Sequence, residues 1–175
     1  LIKLHDLEFE PFISEEMINR SIDELAKNIN RDFDGKTPVF LGVLNGAFMV
    51  AAEIIKRFEG ECEVTFVKLG SYKGTANHGN VETLIGLSHS IENRQVVVIE
   101  DIVDTGNTLA SIDKILKDHK VAGYKIATLF FKPAAYKRSF PVDYIGMEIP
   151  NDFIVGYGLD YDGLGRNLPQ VYKLK

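Results

Sequence analysis

The chain has 175 residues, 45% of them hydrophobic and 26% charged, the composition of one soluble globular domain with a full core. No apolar run approaches the ~18 residues of a membrane span, and the start mixes Lys3, His5, Asp6 and Glu8 with apolar residues, unlike a signal peptide. A formal net charge of −5 argues against general nucleic-acid binding, but an acidic protein can still hold an anionic small substrate at helix N-termini or through a metal ion.

In chain order, Ser14 followed by Glu15 and Glu16 reads as a helix start. Ile18, Ile22, Leu25 and Ile29 then recur at helical spacing, and Asp34-Gly35 and Pro38 end the helix. Val39–Leu44 is expected to be a buried strand and Phe48–Phe58 a helix. Cys62–Leu69 is strand-like, with Val64, Thr65, Phe66 and Val67. Cys62, the only cysteine, excludes an internal disulfide, fits a reducing cytoplasm and is read as a core thiol. His5, His78, His89 and His119 show no metal-ligand spacing.

Residues 70–83 are polar and punctuated by Gly70, Gly74, Asn77, Gly79 and Asn80, which predicts a mobile loop. Leu84–Leu87 and Val96–Ile99 are expected to be strands on either side of a turn near Glu92-Asn93. Ile112, Ile115 and Leu116 mark a helix, Tyr124–Phe131 a strand, and Val142–Glu148 and Phe153–Gly156 shorter strands. Strand–helix alternation through the middle predicts an α/β fold, a Rossmann-like parallel sheet with helices on both faces. Ligands in such sheets sit at the carboxyl ends of the strands.

The most informative stretch is 96–109. A β-branched run, Val96–Ile99, leads into the acids Glu100, Asp101 and Asp104. Thr105, Gly106, Asn107 and Thr108 follow, all small or turn-tolerant, before a helical pattern begins at Leu109. A strand ending in acids and turning into a helix N-terminus suits a phosphorylated sugar. Free N–H groups and the helix dipole hold phosphate, while carboxylates accept hydrogen bonds from ribose hydroxyls or bind a metal.

This stretch resembles the signature of the type I phosphoribosyltransferases, the site for phosphoribosyl pyrophosphate. Further segments narrow the resemblance to the hypoxanthine(-guanine) members and extend it over about residues 5–170. Leu44-Asn45-Gly46-Ala47 is similar to the family's pyrophosphate loop, which often holds a strained or cis peptide; many members carry Lys where this chain has Asn45. Ser71-Tyr72 resembles the start of a loop that closes over the reacting centre and excludes water. Gly156-Tyr157-Gly158-Leu159-Asp160-Tyr161 resembles a late family motif.

The resemblance implies a role for each matching residue. Glu100 and Asp101 would contact the ribose hydroxyls, directly or through Mg²⁺, and Asp160 would help hold a second Mg²⁺. The backbone from Asp104 to Thr108, including Gly106 and Asn107, and the Thr105 and Thr108 hydroxyls would hold the 5′-phosphate. Asp104 would be the catalytic residue that takes or shares the N7 proton of the base. Leu44, Asn45, Gly46 and Arg166 would meet the pyrophosphate. Lys132 would donate to the 6-oxo group, Phe153 would stack on the base, and Ile154 would lend backbone groups to its edge.

The whole chain, 1–175, would be one domain with a small hood formed by about 1–13 and 135–175. The implied activity is purine salvage: transfer of the phosphoribosyl group from phosphoribosyl pyrophosphate to hypoxanthine, and also guanine, with release of pyrophosphate. The implied assembly is a homodimer or homotetramer, with no nucleic-acid or membrane partner. Two rivals stand beside it: a xanthine-preferring enzyme, and a regulatory binding protein of the same fold, for which a basic surface is the discriminating feature.

Overall fold

The structure is a computed structural model that describes residues 1–71 and 81–175, with backbone alone at 71 and 81–85. The expected helix is α1 (Glu15–Asp32), capped by Ser14, whose hydroxyl accepts from the Met17 N–H. The remaining helices are α2 (Phe48–Lys56) and α3 (Asn107–Asp118). The strands are β1 (Ile2–Leu4), β2 (Leu7–Ile13), β3 (Val39–Leu44), β4 (Glu63–Ser71), β5 (Val81–Ile85), β6 (Gln95–Val103), β7 (Gly123–Phe131), β8 (Tyr144–Glu148), β9 (Ile154–Val155) and β10 (Val171–Leu174).

Six strands form the main sheet in the order β5-β4-β3-β6-β7-β8. The five from β4 to β8 run parallel, and β5 pairs antiparallel with β4 at the edge. The side-chain period of two sorts β6 between two cores. Val97 and Ile99 pack with α1 (Ile18, Ile22, Leu25, Ile29) and α2 (Val50, Ile54) on one face. Val96 and Val98 pack with α3 (Leu109, Ile112, Leu116) on the other. The parallel sheet with helices on both faces is therefore the observed architecture.

A smaller antiparallel sheet, β1-β2-β10-β9, joins the two ends of the chain. The expected hood of 1–13 and 135–175 does not hold throughout: Tyr144–Glu148 is β8, parallel to β7 in the main sheet. The reason lies in packing, because the segment before it returns to bury Phe140 and Val142 on the α3 side.

The expected loop of 70–83 also needs correction at its ends. Gly70 and Ser71 pair with Glu82 and Val81 as β4 and β5. Backbone hydrogen bonds hold an antiparallel ladder without apolar side chains, and polar residues suit an edge strand. Tyr72 and the loop positions through Asn80 lie outside the described residues. Strand β6 runs on to Val103, so Glu100 and Asp101 lie within it and not beyond its end. Among the described residues no helix is long and apolar enough to cross a membrane.

Candidate functional site

Four segments meet at the carboxyl ends of β3, β6 and β7: the 44–47 turn, the end of β6 with the 104–108 loop, the turn after Phe131, and the 156–166 stretch. Each owes its position to a strand end or to a glycine that permits close approach.

The 104–108 loop enters α3 through Gly106, which has φ +82°, a left-handed conformation open to glycine at little cost. Among the described residues no side chain caps this helix. Its first N–H groups are thus left for another acceptor, and the dipole favours an anion. Residues 100 and 102–109 line a cleft of about 180 Å³ beside it.

Glu100 and Asp101 are neighbours on a strand, so their side chains leave opposite faces. Glu100 lies on the α3 face, is 4% exposed and lines the cleft. Burial, and secondarily the charge of Asp101, push its carboxyl well above the usual range. Asp101 lies on the α2 face, where its Oδ1 accepts from the Ile102 N–H at 2.9 Å. Burial raises its pKa to about 6; backbone hydrogen bonds and Arg166 oppose that rise, and Asp160 adds to it.

Gly46 stands directly against Asp101: a Cβ built there would come 1.7 Å from Oδ2. Gly158, with φ +99°, stands close to the Gly46 carbonyl, 2.1 Å from such a Cβ. Two glycines therefore let the β6 carboxylate lie against the backbone of the pyrophosphate-loop candidate and the late motif against that loop's backbone. The Leu44–Asn45 peptide is cis, and Asn45 is exposed. Arg166 donates to the Gly158 carbonyl at 2.6 Å and pairs with Asp160 at 2.6 Å. The other Asp160 oxygen accepts from the Gly163 N–H at 2.7 Å.

Lys132 follows β7 and is 7% exposed. Its Nζ lies 3.5 Å from Asp104 Oδ2. Phe153 is 45% exposed, with its ring 6.2 Å from that of Phe9 and 5.9 Å from that of Tyr161, whereas Ile154 is buried in β9.

The structure thus brings Asp101, Gly46, Asp160 and Arg166 into one group, and Glu100, Thr105, Gly106, Asn107 and Thr108 around one cleft, with Asp104 linking that cleft to Lys132. Glu100, Asp101 and Asp160 do not form one metal cage: among the described residues, no three acidic, histidine or cysteine side chains are grouped to hold an ion. The sequence places Gly158 in the late motif but gives it no role of its own, and Tyr136 and Arg138 have no local signal. A Cβ on Gly106 would meet Tyr136 Cε2 at 2.6 Å and Arg138 Cγ at 2.7 Å.

Comparison with known proteins identifies the family. The phosphoribosyl transferase domain family matches residues 14–162. Hypoxanthine-guanine phosphoribosyltransferase of Staphylococcus aureus (strain Mu50) is 41% identical over 167 residues, covering 95% of this chain and 93% of the relative. A crystal structure of a hypoxanthine phosphoribosyltransferase from Staphylococcus aureus superposes with a TM-score of 0.89 at 41% identity, covering 97% of this chain and 92% of that one. A hypoxanthine-guanine phosphoribosyltransferase from Bacillus anthracis gives 0.89 at 35% identity, covering 97% and 100%. With a family match across most of its length and relatives of this similarity, the chain belongs to the phosphoribosyltransferase family, alongside its hypoxanthine-guanine members.

Proposed function

We propose that this enzyme transfers the 5-phosphoribosyl group from phosphoribosyl pyrophosphate to hypoxanthine, and also to guanine, releasing pyrophosphate and giving IMP or GMP in a cytoplasmic salvage reaction. The observation that carries this reading is the buried Lys132 ammonium 3.5 Å from Asp104, at the edge of the uncapped 104–108 cleft. A donor for a 6-oxo group, an acceptor for a ring proton and a cradle for phosphate then adjoin one another in the order of the parts of a purine nucleotide.

The α3 N-terminus and the Thr105 and Thr108 hydroxyls receive the 5′-phosphate. Glu100 and Asp101 face the ribose hydroxyls. Phe153 stacks on the base, and the Ile154 backbone meets its edge. Asp104 takes or shares the N7 proton as N9 attacks C1′. The C1′–O bond breaks and its electrons leave with pyrophosphate, which Leu44, Asn45 and Gly46 receive through backbone groups and Arg166 through its guanidinium. Positive charge grows on the sugar as this happens, so fixed electrostatics contribute most of the acceleration.

The carboxylates Glu100, Asp101 and Asp160 offer only oxygen donors, the chemistry that Mg²⁺ prefers. Magnesium commonly binds through one or two carboxylates plus substrate phosphates. Glu100 and Asp101 would serve one and Asp160 the other. When bound, the metal neutralises pyrophosphate charge. Ser71 and Tyr72 open the segment that would exclude water, and the assembly would be a homodimer or homotetramer.

The test is direct. Protein, Mg²⁺ and phosphoribosyl pyrophosphate are mixed with hypoxanthine, guanine, xanthine or adenine in turn, and nucleotide formation is followed. Turnover of hypoxanthine and guanine is expected. Exclusive use of xanthine, or tight sugar-phosphate binding without turnover of any base, would replace this reading.

A further inference from the structure

The nine residues after β7 form a strap that folds back onto the phosphate cradle from outside the cleft. Its contacts are specific. The Lys137 N–H donates to the Thr105 carbonyl at 3.3 Å. The Arg138 guanidinium donates from one Nη to Asn107 Oδ1 at 2.7 Å. The Tyr136 ring and the Arg138 stem lie so close over Gly106 that no Cβ could stand there. The strap is itself braced: Tyr136 donates its hydroxyl proton to the Phe140 carbonyl at 2.7 Å, and its ring meets Phe131 edge-on at 5.3 Å. It begins at Lys132, whose own N–H is tied to the Val103 carbonyl at 3.0 Å.

Asn107 is the first residue of α3 and Gly106 its left-handed entry. With no side chain among the described residues capping this helix, the direction of the first-turn N–H groups depends on what holds Gly106 and Asn107 in place. The strap does so through Arg138. Arg138 does not line the cleft, so it reaches a ligand through the loop and through its charge. We propose that Arg138 is a positioning residue for the 5′-phosphate. By holding Asn107 and covering Gly106 it fixes the loop in its anion-binding form, and it ties that loop to the segment carrying Lys132. The inference rests on the reading that residues 104–108 hold the 5′-phosphate.

A structural role alone would alter stability, or affinity for all ligands together. A role in positioning the phosphate loop separates phosphorylated ligands from unphosphorylated ones. Binding of IMP and of inosine is therefore measured by calorimetry for the wild type, Arg138→Ala, Arg138→Lys, Asn107→Ala, the Arg138→Ala/Asn107→Ala double variant and Thr108→Ala. Arg138→Ala is expected to weaken IMP about two- to fivefold, the scale of an exposed charged contact, with inosine unchanged. The double variant should be little worse than either single one, because the two side chains act as a unit. Arg138→Lys should keep part of the IMP affinity, which guards against misreading a folding defect.

If Thr108→Ala loses IMP affinity while Arg138→Ala does not, the proposal for Arg138 falls and the loop reading stands. Equal losses for IMP and inosine in Arg138→Ala would also overturn it. If the wild type binds IMP no more tightly than inosine, the assignment of the phosphate to this loop falls, and the proposal with it.

Discussion

The Asp101 carboxylate rests on the backbone of Gly46, at a separation that leaves no room for even a methyl group. Strand β6 supplies the acid and the turn after β3 supplies the glycine; both lie at the carboxyl ends of neighbouring parallel strands. The contact joins the ribose side of the proposed site to its pyrophosphate side.

Gly46→Ala should therefore act on catalysis more than on folding. The backbone at 46 is not in a left-handed conformation, so alanine is compatible locally. The added methyl must displace either the Asp101 carboxylate or the loop. Misplacement of a catalytic group by about 1 Å can lower rate ~10²-fold, and kcat/KM for phosphoribosyl pyrophosphate is expected to fall by that order. Steady-state kinetics with a thermal melt alongside would check it; unchanged kcat/KM would mean that the contact is not needed.

Burial raises the Asp101 carboxyl to about 6, from an ordinary value of 3.8. Between these values the folded state binds more protons than the unfolded state, so this group lowers stability as pH rises from about 4 to 6 and the loss persists above. Asp101→Asn should stabilise the ligand-free protein at pH 7 by at most about 3 kcal/mol, with the gain shrinking toward zero near pH 4, while activity drops. Melting curves of both proteins across pH 4–8 test this. A constant difference in melting temperature would place the carboxylate in a water-like environment.

Asp104→Asn should lower kcat by about 10²–10⁴-fold, the usual contribution of a general base, with little change in affinity for phosphoribosyl pyrophosphate. Single-turnover measurements separate the chemical step from product release. An unaltered chemical step would remove Asp104 from proton transfer.

Lys132 is a donor-only cation and is buried beside Asp104. Adenine would set an amino group against it, an arrangement that such sites reject by about 10⁴-fold. Negligible adenine turnover by the wild type is expected. Lys132→Ala should lose far more kcat/KM for hypoxanthine than for adenine. If the ratio between the two bases stays constant on substitution, another residue reads the 6-position.

Away from the site, Asp32 at the end of α1 accepts from the Tyr144 hydroxyl at 2.8 Å and from Lys125 Nζ at 3.1 Å. These bonds, Tyr144 first, lower its pKa to about 2. Its stabilisation is thus present above the unfolded value of 3.8 and lost as pH falls through about 2. Asp32→Asn should cost about 1–2 kcal/mol at pH 7, with a difference that closes near pH 2. Urea titrations at the two pH values would measure it, and a gap of the same size at both would assign the effect to packing.

The amino-acid sequence determined the features that depend on nearby residues. The spacing of Ile18, Ile22, Leu25 and Ile29 specified α1 and its buried stripe, and Ser14 its start. The valine run fixed β6, and Asp104 through Thr108 marked the loop before α3, because strand period, turn chemistry and helix onset are all local. Tertiary structure decided what depends on distant partners. It extended β6 through Glu100 and Asp101 and so sent those acids to opposite faces, one toward α3 and one toward Gly46. It drew β8 into the main sheet, stacked Gly158 on Gly46, and laid Arg138 against Asn107. The partner in each case lies outside the local sequence, because it is set by which strand ends the parallel crossovers bring together and by which backbones a missing Cβ allows to touch.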